Sequence, residues 1–322
     1  MENPVIRFIK DWTLPLAMAT GAGLYLLYRA LPALSPAGPA LHHIAVRLQP
    51  LLIFLMLFLQ FSKISPRDLH FRPWNIALLV LQGGFFLALA ALALQLPEGL
   101  PRILAEAAML CLVCPTAIAA GVITDKIGGS LPAIMTYLAL INCLVSLLIP
   151  AVLPMLHPMD GLSFAQGTLL LLRRVFSSLI LPTLLAWLVR WRMPRMQRFL
   201  EAHVGWAFYI WSLSLTILMV LTTRILVISR LGLGSLALLG LVSLACCVGQ
   251  FALGRWIGRR GGRTDSITAG QAFGQKNTSL MIWIGYSYMT QETAIAGGLY
   301  CIWHNLVNSW ELYRERQRRP DR

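Results

Sequence analysis

Long apolar segments recur along the whole chain, and short polar stretches separate them. An α-helix needs about 20 apolar residues to cross a bilayer, and ten segments approach or exceed this length. They lie roughly at 12–31, 41–62, 74–96, 103–127, 129–156, 167–192, 204–224, 233–258, 264–290 and 292–313. The pattern predicts an all-α polytopic membrane protein with ten transmembrane helices.

Two polar stretches interrupt this pattern at matching places, in the fourth and the ninth segment. Residues 115–130 and 264–279 are small, polar and rich in glycine. Irregular backbone at membrane depth is stable only inside protein or beside a water-filled cavity. Interrupted segments at matching positions in two halves indicate the binding site of a secondary transporter. Small residues also allow intact helices to pack closely, but close packing does not explain the polar residues gathered there, which are Asp125, Lys126, Gln275, Lys276 and Asn277.

The segments divide into two halves of five, at 1–158 and 159–322. Because five is odd, the halves have opposite orientations, and each carries its interruption in its fourth helix. Proline and glycine residues can break these helices. The sequence therefore predicts two inverted five-helix repeats whose broken helices meet near the midplane. The residues expected to break them are Pro115, Gly128, Gly129, Gly270 and Gly274.

Positive charge is distributed unevenly between the two predicted sides of the membrane. The chain has 27 Lys and Arg, of which 19 lie on the side of the termini and 7 on the other, with Lys276 in neither set. The positive-inside rule then predicts cytoplasmic termini, and we expect an integral protein of a bacterial inner (plasma) membrane. The same rule accounts for the net charge of +14 without a nucleic-acid partner.

Motifs of catalysis and of nucleotide binding are missing from the sequence. It contains no H-E-x-x-H, no G-x-S-x-G and no Walker A motif, so we expect neither an enzyme nor direct use of ATP. No metal or cofactor is expected. Cys111 and Cys114 form a C-x-x-C in an apolar helix, where packing is the ordinary role and metal or redox chemistry is the alternative.

Short motifs along the chain resemble those of one transporter family. They are Gln82 in the third segment, Cys114-Pro115, Gly274-Gln-Lys-Asn277 and Trp303-His304-Asn305. In this order and spacing they resemble motifs of the bile acid:sodium symporter family, and the resemblance covers nearly the whole chain. It implies a panel domain of helices 1, 2, 6 and 7 and a core domain of helices 3–5 and 8–10. It also implies that helices 4 and 9 cross at the ion and substrate sites, and that a small or amphipathic organic anion is transported by alternating access.

The chain departs from that family where sodium is bound. Ala120-Gly121 replaces a sodium-binding Ser-Asn pair, Ala272 replaces a glutamate, and Lys276 replaces a glutamine. Hard cations need oxygen ligands that balance their charge, so a missing carboxylate and an added ammonium both oppose a bound sodium ion. Sodium coupling is therefore less favoured than sodium-independent transport, and proton coupling is an alternative.

Candidate site residues come from the polar stretches and from helices 3 and 10. An intramembrane lysine is costly and is a functional hypothesis by default. Lys276 either takes the place of sodium or is a tether that neutralises carbonyls at a helix end. Asp125 is its expected partner, or else belongs to a solvated helix end. Gln82, His304 and Asn305 either line the site or make hydrogen bonds between helices. The full candidate set is Gln82, Thr124, Asp125, Gln271, Gln275, Lys276, Asn277, Thr278, His304 and Asn305.

Two other functions remain open at this point. One is an arsenite-permease-like efflux carrier of the same superfamily, in which Cys114 would be required. The other is a transport-inactive receptor or sensor that keeps the fold. The sequence does not predict the oligomeric state.

Overall fold

The computed structural model describes residues 13–203, 205–229 and 231–318. Within them the chain is helical, with no β-strand. The helices are α1 (Thr13–Ala30), α2 (Gly38–Ser62), α3 (Pro73–Gln95), α4 (Leu100–Val113), α5 (Ala119–Lys126), α6 (Leu131–Leu156), α7 (Phe164–Leu179), α8 (Leu181–Arg192), α9 (Pro194–Ala202), α10 (Trp206–Ile228), α11 (Leu233–Gly258), α12 (Gly262–Gly274), α13 (Thr278–Tyr288) and α14 (Gln291–Arg318). The orientation predicted for the two termini concerns residues 1–12 and 319–322, which lie outside the described residues.

Several helices are long and apolar enough to cross a membrane. Five such stretches occur in the described residues, and a sixth is added if α7 and α8, which meet at a bend of 43°, form one span. The prediction of an all-helical chain is therefore confirmed for the described residues, and their long apolar helices are those expected of a membrane-embedded protein, while the number of ten spans stays a prediction. The five stretches are Pro32–Ser62, Pro73–Gln95, Leu131–Leu156, Tyr209–Ile228 and Leu233–Gly274.

The longest of these stretches, Leu233–Gly274, doubles back on itself between α11 and α12. Gly262 at the turn has φ of 88°, a backbone conformation that glycine adopts without strain. A Cβ atom at Gly258 would lie 2.4 Å from the carbonyl oxygen of Asp265. The two helices thus pack antiparallel with their backbones in close contact, as small residues allow between membrane helices.

Both predicted helix breaks are present, although one glycine was assigned wrongly. α4 ends at Val113 and α5 begins at Ala119, because Pro115 cannot continue the helix and forces the preceding residue into an extended conformation. The second break follows Gly274. Gly270 does not break its helix: it lies inside α12, where a Cβ atom would lie 2.5 Å from the Cγ atom of Arg255, so its role is close packing.

The helices form two packed groups. In the first, α10 packs against α1 and α2, and α2 packs against α7 and α8. In the second, which contains both breaks, α11 packs against α4, α12 and α14, while α3 and α6 pack against each other. The repeat boundaries at 1–158 and 159–322 stay predictions. The boundary between the two groups is the part of the fold that positions the candidate site.

Candidate functional site

The two helix breaks lie side by side and are joined by backbone hydrogen bonds. The amide of Ala117 donates to the carbonyl of Gln275 at 2.8 Å, and the amide of Asn277 donates to the carbonyl of Pro115 at 2.8 Å. Backbone groups released by a broken helix are costly inside a membrane protein unless they find partners. Each break supplies partners for the other, so the two interruptions stabilise one another.

Gln82 of α3 caps the carbonyl end of α4 at the first break. Its Nε2 donates to the carbonyls of Val113 at 2.8 Å and Cys114 at 3.0 Å, and its Oε1 accepts from the Tyr137 hydroxyl at 3.0 Å. A helix leaves its last four carbonyls without intrahelical partners. Both polar ends of the Gln82 amide are therefore engaged in holding the break.

Gln250 of α11 also contacts the carbonyl end of α4, and sequence reasoning missed it. Its Nε2 donates to the carbonyl of Cys111 at 3.3 Å and to the Tyr300 hydroxyl at 3.0 Å. Tyr300 in turn donates to the carbonyl of Gly274 at 2.7 Å, at the end of α12. Gln82 was identified through the family resemblance, whereas the signal available for Gln250 is a single glutamine within an apolar helix.

Lys276 lies fully buried at the second break, with an exposed fraction of 0%. Its Nζ atom donates to the carbonyl of Leu112 at 3.2 Å and lies 5.1 Å from the centre of the Phe273 ring. The carbonyl end of a helix carries partial negative charge, and an aromatic face attracts a cation. The ammonium thus contacts the end of α4 and an aromatic ring, and no carboxylate of the described residues pairs with it.

The expected pair of Asp125 and Lys276 is wrong. Asp125 is exposed near the end of α5, whereas Lys276 is fully buried. Between the break and Asp125, α5 rises by roughly 10 Å along its axis, which carries the carboxylate away from the break. Asp125 therefore lies at a solvent-exposed helix end, which was the second of its two interpretations.

Thr124 and Gln271 also lie away from the crossing of the two breaks. Thr124 is buried where α5 meets α6, and its carbonyl accepts from the amide of Gly129 at 2.8 Å. Gln271 donates through Nε2 to Asn308 Oδ1 at 3.1 Å and to Glu311 Oε2 at 2.8 Å. The first contact closes the turn between α5 and α6, and the second connects α12 with α14.

A small cavity lies beside the crossing, between the two helix groups. Its volume is about 30 Å³, enough for water but not for an organic ligand, which needs ~300 Å³ or more. Met56 of α2 and Trp211 of α10 are on one side of it. The candidate residues that line it are Gln275, Lys276, Asn277, Thr278, His304 and Asn305.

Several buried polar atoms of this cavity lining have no hydrogen-bond partner within the described residues. They are both polar atoms of the Gln275 side chain, Nδ1 of His304 and Oδ1 of Asn305. An unpaired buried polar group costs about 1–3 kcal/mol, so such groups call for water or a ligand. Asn277 differs, because its Oδ1 accepts from the amide of Leu280 at 3.1 Å and caps α13.

A second cavity continues from the first, and its lining includes Arg224, which the sequence analysis placed at the end of the seventh predicted segment, on the side opposite the termini. Leu218 and Ser279 line both cavities. Arg224 lies inside α10, and its Nη1 atom is buried with no hydrogen-bond partner among the described residues. The same is true of Nδ1 of His42, whose Nε2 lies 2.9 Å from the Tyr286 hydroxyl. Arg224 follows a long apolar run. An isolated arginine in such a position was the sequence signal that could have identified it as a site residue.

Neither cavity is lined by an acidic side chain of the described residues. These residues also contain no group of three or more His, Cys, Asp or Glu that could hold a metal ion. Cys111 and Cys114 are both buried as free thiols. Comparisons with models of known protein families and with curated proteins found no match.

Proposed function

We propose that the protein is a secondary transporter that moves a small or amphipathic organic anion by alternating access, without requiring bound sodium. The observation that carries this proposal is the pairing of two broken helices beside a cavity with unpartnered polar atoms. Broken helices are stable at membrane depth only inside protein or beside a cavity. In secondary transporters, solutes bind where discontinuous helices meet.

Equivalent contacts on the two sides of the crossing support inverted repeats. Gln82 is bonded to Tyr137, and Gln250 is bonded to Tyr300. In the predicted ten-helix numbering, the glutamines lie in helices 3 and 8 and the tyrosines in helices 5 and 10. These are the third and fifth helix of each predicted half. We therefore propose ten spans in two inverted halves, with cytoplasmic termini and with helices 4 and 9 crossing.

The charges around the two cavities favour an anionic substrate. Arg224 and His42 line the outer cavity, and no acidic residue of the described part of the chain lines either one. Arg224 is half-buried, and its Nη1 atom is buried without a hydrogen-bond partner among the described residues, so an anion that accepts a hydrogen bond from this atom is its natural complement. The outer cavity holds only about 20 Å³, but its apolar lining, which includes Leu221 and Trp283, suits the body of an amphipathic molecule once the helix groups have moved apart.

Alternating access is supported by the way in which the two helix groups meet. Within the first group, Ser214 of α10 donates to Gln49 of α2 at 2.9 Å; across the boundary, its hydroxyl lies 3.2 Å from that of Ser279 in α13, beside the second break. With these contacts made, the cavity beside the crossing holds only about 30 Å³. An organic anion can reach the crossing only if the two groups move apart.

Sodium independence rests on the residues around the crossing. We propose that the Lys276 ammonium takes the structural place that the family resemblance gives to sodium, because it contacts the carbonyl end of α4. Ala272 and the Ala120-Gly121 pair bring no side-chain oxygen to that place. In a variant of this proposal, Lys276 releases and regains a proton during transport. Uptake measured under an imposed pH gradient tests this variant.

The transport proposal is tested with purified protein in liposomes. We expect uptake of at least one radiolabelled organic anion from a panel of a bile acid, a monocarboxylate and a sulfonate. Arg224→Gln should lower that uptake about tenfold or more, since a hydrogen bond to a charged group is worth about 1.5–3 kcal/mol. Arg173→Gln, which removes an exposed arginine of α7, is the matched control and should leave uptake unchanged.

Three results would contradict this proposal or part of it. Binding of the panel anions without flux would identify a receptor or sensor. Arsenite efflux that is lost in Cys114→Ala, with no organic-anion uptake, would identify an arsenite-permease-like carrier. Equal loss of uptake in Arg173→Gln and Arg224→Gln would contradict the role of Arg224.

A further inference from the structure

A large cavity opens at the predicted cytoplasmic ends of α11, α12 and α14, away from the crossing. Its volume is about 550 Å³, which falls in the range of small-molecule sites, ~300–1,000 Å³. Its charged lining, among the described residues, consists of Arg255, Arg259, Arg263, Arg314, Arg318, Glu311 and Glu315.

Two of these arginines are neutralised by the two glutamates. Arg255 donates to Glu311 through Nε at 3.1 Å, and Arg263 donates to Glu315 through Nη2 at 2.7 Å. The remaining three have no carboxylate partner among the described residues. The cavity therefore presents an excess of positive charge, carried by Arg259, Arg314 and Arg318.

The cavity lies at the level expected for the membrane surface. Trp310 lines it with 54% of its side chain exposed, and the Arg314 guanidinium lies 4.7 Å from the centre of the Trp310 ring. Trp191 and Trp256, near the ends of α8 and α11 on the same predicted side, are also exposed. Exposed tryptophans mark the interface between membrane and water, which is the depth of lipid headgroups.

We propose that this cavity binds the phosphate group of an anionic phospholipid. Guanidinium groups bind phosphate through parallel hydrogen bonds, and basic pockets between helices on the cytoplasmic side bind phosphorylated headgroups. The excess charge provides the attraction, and the cavity provides room for a headgroup. The tryptophan at its rim favours a lipid over a free phosphate ion.

The bound headgroup would stabilise the half-helix that leads to the second break. Glu311 accepts both from Arg255 of α11 and from Gln271 of α12, so the cavity wall is directly connected to α12. An anion on the neighbouring arginines holds the ends of α11, α12 and α14 together. The lipid effect is thus on stability, and binding itself does not depend on the proposed transport.

The experiment uses the full-length protein in mixed micelles of phosphatidylcholine with increasing phosphatidylglycerol. We expect the Tm to rise and saturate, and phosphatidylglycerol to co-purify with the protein. The double variant Arg259→Gln/Arg314→Gln should need roughly tenfold more phosphatidylglycerol for the same rise in Tm. Each arginine near the membrane surface adds appreciably to the affinity for an anionic lipid. The control Arg67→Gln/Arg195→Gln removes two charges on the same predicted side but outside the cavity, and should behave as the unmodified protein.

Three outcomes would overturn the proposal. The first is a cavity variant that responds to phosphatidylglycerol and retains it as the unmodified protein does. The second is a control variant that loses as much as the cavity variant, which would indicate general surface charge. The third is an equal rise in Tm with inorganic phosphate at the same concentration, which would identify a free anion as the ligand. Mass spectrometry of the co-purified lipid shows whether phosphatidylglycerol is bound, even if the variants differ in basal stability.

Discussion

Lys276 is a buried ammonium whose contacts are a carbonyl oxygen and an aromatic ring. Removing a charge from water costs several kcal/mol unless partners compensate. The carbonyl end of α4 provides roughly half a negative charge, and the Phe273 face adds a weaker attraction. We interpret Lys276 as a fixed cation that helps to hold the two breaks together.

Replacing Lys276 by methionine should lower stability. The carbonyl of Leu112 would lose its partner, and an unpaired buried group costs about 1–3 kcal/mol. Thermal unfolding in detergent measures the effect, with Lys126→Met at the exposed end of α5 as the control. A Lys276→Met protein that is as stable as the unmodified one would contradict the role as a fixed cation.

Two glutamines at the crossing should respond differently to replacement by leucine. Gln82→Leu removes contacts with Val113, Cys114 and Tyr137, so we expect a loss of about 1–3 kcal/mol in stability. Gln275→Leu removes a side chain that makes no hydrogen bond within the described residues, so stability should hold while uptake falls.

Unfolding and uptake assays on the same preparations measure both effects. The assignment of Gln82 to the structure and of Gln275 to the site fails if the two variants show the reverse pattern. Asn277→Leu is expected to lose both stability and uptake, since its side chain caps α13 and it also lines the cavity.

Individual site residues were only partly predictable from the sequence. The family resemblance implied that Gln82 lies near the crossing, but its hydrogen-bond partners depend on where Pro115 ends α4. Asp125 was wrongly paired with Lys276, because the spacing along the chain does not show that α5 turns the carboxylate away. Arg224 was missed because its apolar helix continues beyond the predicted end.

At the scale of elements, the breaks and the α11–α12 hairpin hold the site in place. The first break follows from local chemistry: Pro115 terminates α4, because a residue before proline is disfavoured in the helical region. The hairpin is different, since its two helices approach so closely that Gly258 has no room for a side chain. Close approach of backbones arises from tertiary packing, which is why Gly270 was wrongly predicted to break its helix.

Substituting alanine at Gly258 should destabilise the hairpin. Its Cβ atom would lie 2.4 Å from the carbonyl oxygen of Asp265, and overpacking costs typically about 1–3 kcal/mol. Gly249→Ala in the same helix meets no atom within 4 Å and should be neutral or slightly stabilising, because alanine favours helix. Equal Tm values for the two variants would show that the close contact is not required.

At the scale of the whole molecule, the sequence predicts the class of fold better than the site. The apolar pattern suffices to predict a helical membrane protein, because few other structures satisfy all backbone hydrogen bonds inside a bilayer. The hydrogen bonds that join Ala117 to Gln275 connect distant parts of the chain, and sequence pattern contains no direct signal for such a pairing. The two cavities arise from packing between helix groups and could not be located from sequence.

The orientation of the chain in the membrane is directly testable. Lys and Arg divide 19 to 7 between the predicted sides, so both termini should be cytoplasmic. The test is a reporter enzyme that works only in the cytoplasm, fused after Arg322. We expect this reporter to be active. An inactive reporter would place the C-terminus outside the cytoplasm. That result would reject the predicted orientation and the cytoplasmic location of the basic cavity.

The central claim is that the crossing of the two broken helices is a transport site that works without sodium. Uptake of the transported anion into proteoliposomes, with sodium and proton gradients imposed separately, tests it most directly. We expect uptake to be unchanged when sodium is replaced by potassium, since Lys276 already provides a cation at the crossing. Uptake that strictly requires sodium in the unmodified protein would contradict this account.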